Sequence, residues 1–186
     1  MSRFKAIDTP MSGLKVFELT RIADERGFLS RLFCADELRP LGWAGPIAQI
    51  NHTMTRQQGA VRGMHFQHAP HGEMKLVSCL RGEVWDVAVD LRCGSPTFLQ
   101  WFAEKLSCEN GHALLIPEGF AHGFQTLTPD CELIYLHDAF YAPDSESGVH
   151  PLDPRVGIDW PLAVGEMSER DRKRSLLDET FRGIPV

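Results

Sequence analysis

The chain has 186 residues, 43% of them hydrophobic, and a formal net charge of -6 at pH 7. A chain of this length and composition can bury a full core, so we expect one domain over residues 1–186. The acidic balance argues against a nucleic-acid partner, because phosphate binding requires clustered basic side chains.

The cysteine count and the hydropathy of the chain indicate the cellular compartment in which the protein works. The chain has five cysteines, an odd count, and no C-x-x-C pair, which is typical of buried thiols in a reducing compartment. No apolar run approaches membrane-spanning length, and the amino terminus has no signal-peptide core. We therefore predict a cytoplasmic protein with no membrane partner.

The first part of the chain is predicted to form strands interrupted by one short helix. Residues 13–20 alternate apolar and polar side chains, as a strand does, and Gly27 allows a turn or bulge in the segment that follows. A short helix is predicted over residues 35–41, where Pro40 stops it. Another strand is predicted over residues 46–54.

Residues 59–82 hold the densest group of reactive side chains. Their apolar residues are spaced as in two half-buried strands, and a proline and a glycine separate the two runs. We predict a β-hairpin whose neighbouring strands direct polar side chains toward one small molecule. These side chains are Arg62, His65, Gln67 and Lys75. Because an imidazole is suited to proton transfer near neutral pH, the hairpin is predicted to form a wall of an active site.

The second half of the chain continues with short strands, each bounded by Gly, Pro, Asn or Asp. The predicted strands cover residues 83–91, 98–106, 113–116, 120–127 and 132–138. Many short strands without helical interruption favour an antiparallel sandwich or barrel, so the predicted fold class is all-β. From about residue 153 the strand rhythm ends, and Ser168 caps a predicted short helix over residues 168–178. We expect this tail to act as a brace or lid.

Two stretches, residues 59–82 and 111–127, resemble the signature motifs of the cupin barrels, which face each other across a jelly-roll interior. In that family the first motif supplies metal ligands as His-x-His and a Glu, and the second supplies a His. Here Gln67 stands at the second His position and Lys75 at the Glu position. Because an ammonium group opposes a divalent cation, we predict a cupin-type jelly-roll barrel without a metal or other cofactor.

A narrower resemblance extends over about residues 14–177. It is carried by DERGF at 24–28, QINH at 49–52, VRGMHFQ at 61–67, KLV at 75–77, GEVWDVAVDLR at 82–92, SPTF at 95–98, IPEGFAHGF at 116–124, Tyr135, YAP at 141–143, GIDWP at 157–161 and the S-x-x-D pattern at 168–171. In this order the segments resemble the dTDP-4-dehydrorhamnose 3,5-epimerase family. The resemblance implies a metal-free homodimer in which amino-terminal strands cross to the partner, acting on a nucleotide-diphosphate 4-keto-6-deoxy sugar.

The implied reaction inverts carbon 3 and carbon 5 beside the ketone. It requires a base on one face of the sugar, a donor near the carbonyl oxygen and an acid on the other face. By the resemblance, His65 is the base, and Asp171 orients it and raises its basicity. Lys75 then stabilises the enolate oxygen, and Tyr135 returns a proton from the opposite face. A phenol, with an ordinary pKa of about 10, is protonated and ready to do so at neutral pH.

Substrate-binding roles are also expected. Arg62 and Arg26 suit the diphosphate, because a guanidinium group matches phosphate oxygens in a bidentate way. Gln49 and Asn51 are expected to hold sugar hydroxyls or phosphate. The resemblance places His122 near the sugar, although the geometry of the preceding loop explains this residue equally well.

Two aromatic residues complete the expected site. Phe28 and Tyr141 resemble residues that pack on the nucleotide base, or else they cover the core. Because Arg26 and Phe28 lie on the segment that the family exchanges between subunits, the site is expected to be composite.

Departures from the family pattern keep other functions open. Leu136-His137 follows Tyr135, where the family often has a Lys, and Arg31 lies in a segment that lacks the usual Glu. These departures bear on which nucleotide and sugar are used and on whether one carbon or two are inverted. A mono-epimerase acting on another 4-keto nucleotide sugar is therefore an alternative.

Two further alternatives come from other functional classes. One is a metal-dependent cupin enzyme that uses His65 and His122 with Glu73 or His68, and the other is a sugar-binding cupin without catalysis. Elemental analysis of the purified protein separates the metal-dependent enzyme from the epimerase. Five other histidines are expected at the surface or in loops: His68, His71, His112, His137 and His150.

Overall fold

The computed structural model describes residues 2–186, and strands dominate it. In chain order they are β1 (Phe4–Asp8), β2 (Lys15–Leu19), β3 (Arg21–Asp24), β4 (Gly27–Ser30), β5 (Gln49–Thr55), β6 (Val61–Gln67), β7 (Lys75–Arg81), β8 (Glu83–Asp90), β9 (Trp101–Ser107), β10 (His112–Ile116), β11 (Phe120–Thr126), β12 (Cys131–His137) and β13 (Glu146–Gly148). The helices are single turns, α1 (Ala35–Leu38) and α2 (Glu169–Arg172), with 3-10 turns at Arg39–Leu41 and Pro143–Ser145.

Eleven of these strands form two antiparallel sheets. The six-stranded sheet has the order β1-β2-β10-β7-β12-β5, and the five-stranded sheet has the order β13-β6-β11-β8-β9. Most neighbours in each sheet are distant in sequence, as the crossovers of a double-sheet jelly roll require. The predicted all-β, cupin-type fold is confirmed.

The core occupies three layers because most central strands are buried on both faces. Leu114 and Leu115 of β10 show this: they are adjacent and therefore point to opposite faces of the sheet. Leu114 packs between the sheets with Phe124 of β11, whereas Leu115 packs outward against Trp43 from the segment after α1. The outer face of the five-stranded sheet is covered by the carboxyl-terminal tail, which contributes Ile184.

The predicted hairpin over residues 59–82 is wrong in its pairing. Strands β6 and β7 both form, but β6 pairs with β11 and β13, and β7 pairs with β10 and β12. The chain between them crosses from one sheet to the other. Apolar spacing identifies a strand but carries no information about its partner, which explains the error. As a result, His65 and Lys75 face each other across the interior instead of lying side by side.

Two glycines bring β6 and β11 together. A Cβ atom on Gly63 would lie 2.5 Å from the Cα of Gly123, and one on Gly123 would lie 2.6 Å from the Arg62 carbonyl oxygen. Both distances are too short for real atoms, so the backbones approach this closely only with glycine. The close approach places His65 directly opposite His122 in the strand register.

The tail from about residue 153 runs over the five-stranded sheet. Met167 bridges to Val61 at the start of β6, and Ile184 bridges to Arg92 after β8. Only one helical turn forms, with the Ser168 hydroxyl accepting a hydrogen bond from the backbone N–H of Asp171 at 3.0 Å. None of the helices within residues 2–186 has the length and apolar character that crossing a bilayer requires.

Candidate active site

A cavity of about 1150 Å³ opens between the two sheets. Most of the side chains predicted for the site line it: His65, Tyr135, Asp171, Lys75, Arg62, Gln49, Asn51, His122 and Tyr141. The segments that supply them are far apart in the chain, so only the fold brings these residues to one place.

His65 and Asp171 form a close pair on one wall. The His65 Nε2 lies 2.6 Å from the Asp171 Oδ1, although the two residues are 106 positions apart. Burial raises the pKa of Asp171, but the hydrogen bond and charge of His65 outweigh this effect and hold that pKa below its ordinary value. An ionised Asp171 accepts the proton on Nε2, so the lone pair of a neutral His65 lies on Nδ1. This nitrogen is free to act as a base.

Tyr135 comes from the opposite sheet. Its hydroxyl accepts a hydrogen bond from the Thr53 hydroxyl at 3.4 Å, and its ring meets the His122 ring edge-on with centroids 5.9 Å apart. Burial raises the pKa of Tyr135 above the ordinary phenol value. The hydroxyl therefore keeps its proton at neutral pH and can act as an acid.

His122 belongs to a second histidine–carboxylate pair. Its Nε2 lies 2.8 Å from the Asp86 Oδ1, and both side chains are buried. His122 sits within β11, so it is a strand residue facing the cavity and the preceding loop does not account for its place. The sequence interpretation missed Asp86, although an acidic residue inside the apolar run of β8 was a signal that it has a buried partner.

Lys75 and Glu73 form an ion pair on the wall opposite His65. The Lys75 Nζ lies 2.9 Å from the Glu73 Oε1, and the His137 Nδ1 lies 2.7 Å from the Glu73 Oε2. Burial raises the pKa of Glu73, but the hydrogen bond from His137 and the charge of Lys75 outweigh burial and lower that pKa to about 2. The predicted surface or loop position of His137 is wrong, because β12 buries it beside the cavity.

A hydrogen-bonded chain leads from His137 to the cavity mouth. The Asn51 Nδ2 lies 3.4 Å from the His137 Nε2, and the Gln49 amide donates to the Asn51 Oδ1 at 3.2 Å. The backbone N–H of Tyr141 in turn donates to the Gln49 Oε1 at 3.0 Å. Gln49, Asn51 and Tyr141, all predicted to bind substrate, thus belong to one network.

Charged groups gather at the mouth near Tyr141. Its hydroxyl donates to the Glu146 Oε2 at 2.9 Å, and Arg170 donates to the same oxygen at 2.6 Å. Arg62 lies on β6 with an exposed side chain that lines the cavity. Sequence interpretation did not single out Glu146 or Arg170, since neither stands in a distinctive motif.

Arg26 and Phe28 lie outside the cavity in a single chain. They belong to the two-stranded ribbon of β3 and β4, where Arg26 pairs with Asp24 at 2.5 Å and Phe28 is 59% exposed. The guanidinium of Arg21 lies 4.2 Å from the Phe28 ring centroid. Substrate contact by either predicted residue requires a second subunit and stays a prediction.

Gln67, at a cupin ligand position, and Glu73, the carboxylate of the metal-dependent alternative, both have protein partners. The Gln67 amide donates to the carbonyl oxygens of His71 and Phe140 and accepts from the Ala142 N–H. Glu73 is bound by Lys75 and His137. Among residues 2–186, no three His, Cys, Asp or Glu side chains are placed to share a metal ion.

Fold and site together define a class of protein. A cupin-type double sheet encloses a cavity whose walls carry an imidazole with a free nitrogen, an ammonium group and a protonated phenol. This arrangement can remove a proton from carbon, stabilise an oxyanion and return a proton. The class is that of cupin-type proton-transfer enzymes.

Comparison with known proteins identifies the family. The family model for dTDP-4-dehydrorhamnose 3,5-epimerase matches residues 8–179. The chain is 40% identical over 177 residues to the dTDP-4-dehydrorhamnose 3,5-epimerase of Salmonella typhimurium, covering 94% of this chain and 96% of that protein. The chain belongs to the dTDP-4-dehydrorhamnose 3,5-epimerase family. The predicted family and the predicted enzyme class, an isomerase, are confirmed.

Two more relatives bear on the substrate. The dTDP-4-dehydrorhamnose 3-epimerase of Streptomyces niveus is 40% identical over 167 residues, covering 88% of this chain and 80% of that protein. The crystal structure of a Legionella pneumophila dTDP-6-deoxy-D-glucose-3,5-epimerase, in complex with dTDP-4-keto-L-rhamnose, superposes with a TM-score of 0.90. It is 40% identical, and the match covers 98% of this chain and 97% of that chain.

Proposed function

We propose that this protein inverts carbon 3 and carbon 5 of dTDP-4-dehydro-6-deoxyglucose to give dTDP-4-dehydrorhamnose. The observation that carries the proposal is the convergence of His65, Lys75 and Tyr135 on one cavity. The names of the family and of most of the relatives support the choice of a dTDP-linked 4-keto sugar and of two inverted carbons.

His65 begins each inversion. Its Nδ1 takes the hydrogen on the carbon next to the ketone as a proton, and the electron pair of the broken C–H bond moves onto the ketone oxygen. Asp171 stabilises the imidazolium that forms, as a buried carboxylate does for a catalytic histidine. Lys75 donates a hydrogen bond to the enolate oxygen, which favours the enolate more than the ketone.

Tyr135 completes the inversion from the other side. His65 lies on the five-stranded sheet and Tyr135 on the six-stranded sheet, so the two side chains approach a planar enolate from opposite faces. The tyrosine proton goes to the carbon, and the phenolate is reprotonated by solvent while His65 releases its own proton. The raised pKa of Tyr135 keeps the phenol protonated between turnovers.

The same three side chains, His65, Lys75 and Tyr135, act on both carbon 3 and carbon 5. The same ketone acidifies the hydrogens on carbon 3 and carbon 5, so both give an enolate with its charge on one oxygen. A modest shift or flip of the sugar ring then brings the second carbon between His65 and Tyr135. A 3-epimerase relative at 40% identity makes inversion of a single carbon the alternative.

We expect two deuterons in product formed in deuterium oxide. The protein is incubated with dTDP-4-dehydro-6-deoxyglucose, and mass spectrometry and proton NMR report incorporation and configuration. Deuterium at both carbons with both centres inverted is the expected result, because the proton returned comes from exchangeable tyrosine. Incorporation at one carbon instead identifies a mono-epimerase.

The same experiment tests the metal-dependent alternative. Exchange is expected to continue in excess chelator, because a hydrogen bond from Lys75 stabilises the enolate oxygen where a metal ion would otherwise do so. Activity that returns only with an added divalent ion would contradict the metal-free mechanism. No incorporation with this or any other 4-keto nucleotide sugar would defeat the epimerase function itself.

We also propose that the active form is a homodimer in which the β3–β4 ribbon crosses to the partner. A two-stranded ribbon is marginal in water by itself, and this one exposes Phe28 by 59% and Leu29 by 68%. Strand β5 ends its sheet and leaves an edge beside the cavity for another chain. The crossing ribbon would deliver Arg26 and Phe28 to the substrate.

Leu29→Asp is expected to shift the protein from dimer to monomer in sedimentation velocity, because a charge replaces an apolar side chain at the proposed interface. Activity is expected to fall in parallel at low protein concentration. Leu176→Asp is the matched control, since Leu176 is 54% exposed on the tail and its substitution should leave the dimer intact. A wild-type protein that sediments as a single chain would contradict the proposal.

A further inference from the structure

The Lys75 ammonium group has three N–H donors. The Nζ forms an ion pair with the Glu73 Oε1 at 2.9 Å, which engages one donor, and a second donor reaches the His65 carbonyl oxygen at 3.5 Å. Within residues 2–186 the third donor has no partner, so it is available to a ligand in the cavity that Lys75 lines. The direction of this third donor depends on what holds the other two, because a lysine side chain is otherwise flexible.

Glu73 is itself held at both oxygens. Its Oε1 forms an ion pair with the Lys75 Nζ at 2.9 Å, and its Oε2 accepts a hydrogen bond from the His137 Nδ1 at 2.7 Å. The Lys75, Glu73 and His137 side chains are only 8%, 11% and 9% exposed. A carboxylate bound on both sides in this way has no freedom to turn, so it fixes the position of the ammonium group.

The hydrogen bonds of His137 have a consistent direction. The Asn51 amide donates to the His137 Nε2 at 3.4 Å, which leaves the proton of a neutral ring on Nδ1, facing Glu73. The donors thus run from Asn51 through His137 to the carboxylate. The ring orientation that serves Glu73 is therefore set by a residue that also lines the cavity.

We propose that Glu73 and His137 are positioning residues for Lys75: Glu73 aims the free N–H of Lys75 at the ketone oxygen, and His137 locks Glu73 in place. The inference rests on the proposed function, in which Lys75 stabilises the enolate. A buried ammonium group without a counter-ion loses its charge or turns toward water. Glu73, ionised with a pKa of about 2, prevents both.

The pairing also determines how Lys75 acts. Glu73 and Lys75 together carry no net charge, so the resting cavity does not gain a positive charge from Lys75. The interaction with the substrate is a directed hydrogen bond that strengthens as the ketone oxygen becomes negative. Such an interaction favours the transition state over bound substrate, and it should therefore appear in kcat more than in KM.

Glu73→Gln tests whether Glu73 aims Lys75, because the amide keeps the shape of the side chain and loses its charge. We expect kcat to fall by about 10- to 100-fold, the range reported when outer partners of functional metal ligands are removed. KM is expected to change less, by about threefold at most, since the diphosphate and base contacts remain.

Glu104→Gln is the matched control. Glu104 pairs with His112 at 2.9 Å, on β9 and β10, outside the cavity lining. The change removes the same charge from a similar carboxylate–histidine pair, so kcat and KM should stay at their wild-type values. Thermal melting of both variants and binding of dTDP report whether the fold is retained.

Two further comparisons separate positioning from a structural role. In a Lys75→Met background, Glu73→Gln should lower kcat no further, because Glu73 has no ammonium group left to aim. His137→Leu should lower kcat as Glu73→Gln does, whereas His137→Asn should restore part of it, since an Asn amide can donate to Glu73 near the position of Nδ1. These variants keep the test available should Glu73→Gln fail to fold.

The outcomes are distinct. Wild-type exchange of both hydrogens, with kcat of Glu73→Gln within twofold of wild type, overturns the role of Glu73 and leaves the proposed function standing. Additive losses for Lys75→Met and Glu73→Gln also overturn it. A wild-type protein without exchange on any 4-keto nucleotide sugar overturns both, because Lys75 then has no enolate to stabilise.

Discussion

His65→Gln is expected to lower the rate of hydrogen exchange by about 10²–10⁴-fold, the usual contribution of a general base. Glutamine is chosen because its Nε2 can still donate to Asp171, so the buried carboxylate keeps a partner. The side chain has no basic nitrogen, and the substrate carbon therefore loses the group that removes its proton. Binding of dTDP should persist, since Arg62 and the cavity mouth are unchanged.

Deuterium incorporation into dTDP-4-dehydro-6-deoxyglucose, followed over time by mass spectrometry, measures the effect. His112→Gln serves as the control, because His112 also pairs with a carboxylate but lies outside the cavity lining. Its exchange rate should match that of the wild-type protein. Near-normal turnover by His65→Gln would show that another group is the base.

Tyr135→Phe is expected to separate exchange from inversion. The phenylalanine ring keeps the packing against His122, at 5.9 Å, and the stacking on His137, at 6.2 Å. Without the hydroxyl, protonation from the far face should fall by about 10²–10⁴-fold, the contribution of a general acid. His65 can still remove a hydrogen and return a deuteron to the same face.

Proton NMR of the recovered sugar nucleotide distinguishes the two events. Deuterium with retained configuration is the expected signature of Tyr135→Phe, and the wild-type protein provides the reference with inverted centres. Inverted product formed at the wild-type rate would assign the acid role to another residue. Loss of exchange as well as inversion would mean that Tyr135 also acts in proton removal.

The sequence patterns predicted the elements of the fold better than their arrangement. Alternation in β2 and the apolar run of β8 identify strands, because side chains on a strand alternate between two faces whatever its partners are. The pairing of strands within a sheet cannot be read from alternation, since it depends on which distant strands become neighbours when the core packs. The adjacent strands β6 and β7 were therefore predicted as a hairpin, although each pairs within a different sheet.

In the site, too, the sequence predicted individual residues better than the contacts between them. The residues His65, Lys75 and Tyr135 were predicted because they stand in segments with a recognisable order, and the structure places all three around one cavity. Their roles stay predictions until the variants are measured. The pairing of Glu73 with His137 was missed: Glu73 was considered only as a metal ligand and His137 only as a surface or loop residue, because 64 positions separate them.

By itself, the sequence determined the all-β class, the family and the chemical groups available for proton transfer, because each depends on local patterns or on motif order. Only the tertiary structure decided which groups meet. The register of β12 against β7 sets His137 opposite Lys75, and the tail brings Asp171 to His65 across 106 positions. Such contacts arise from the packing of distant segments into a common core, which no single stretch of the chain encodes.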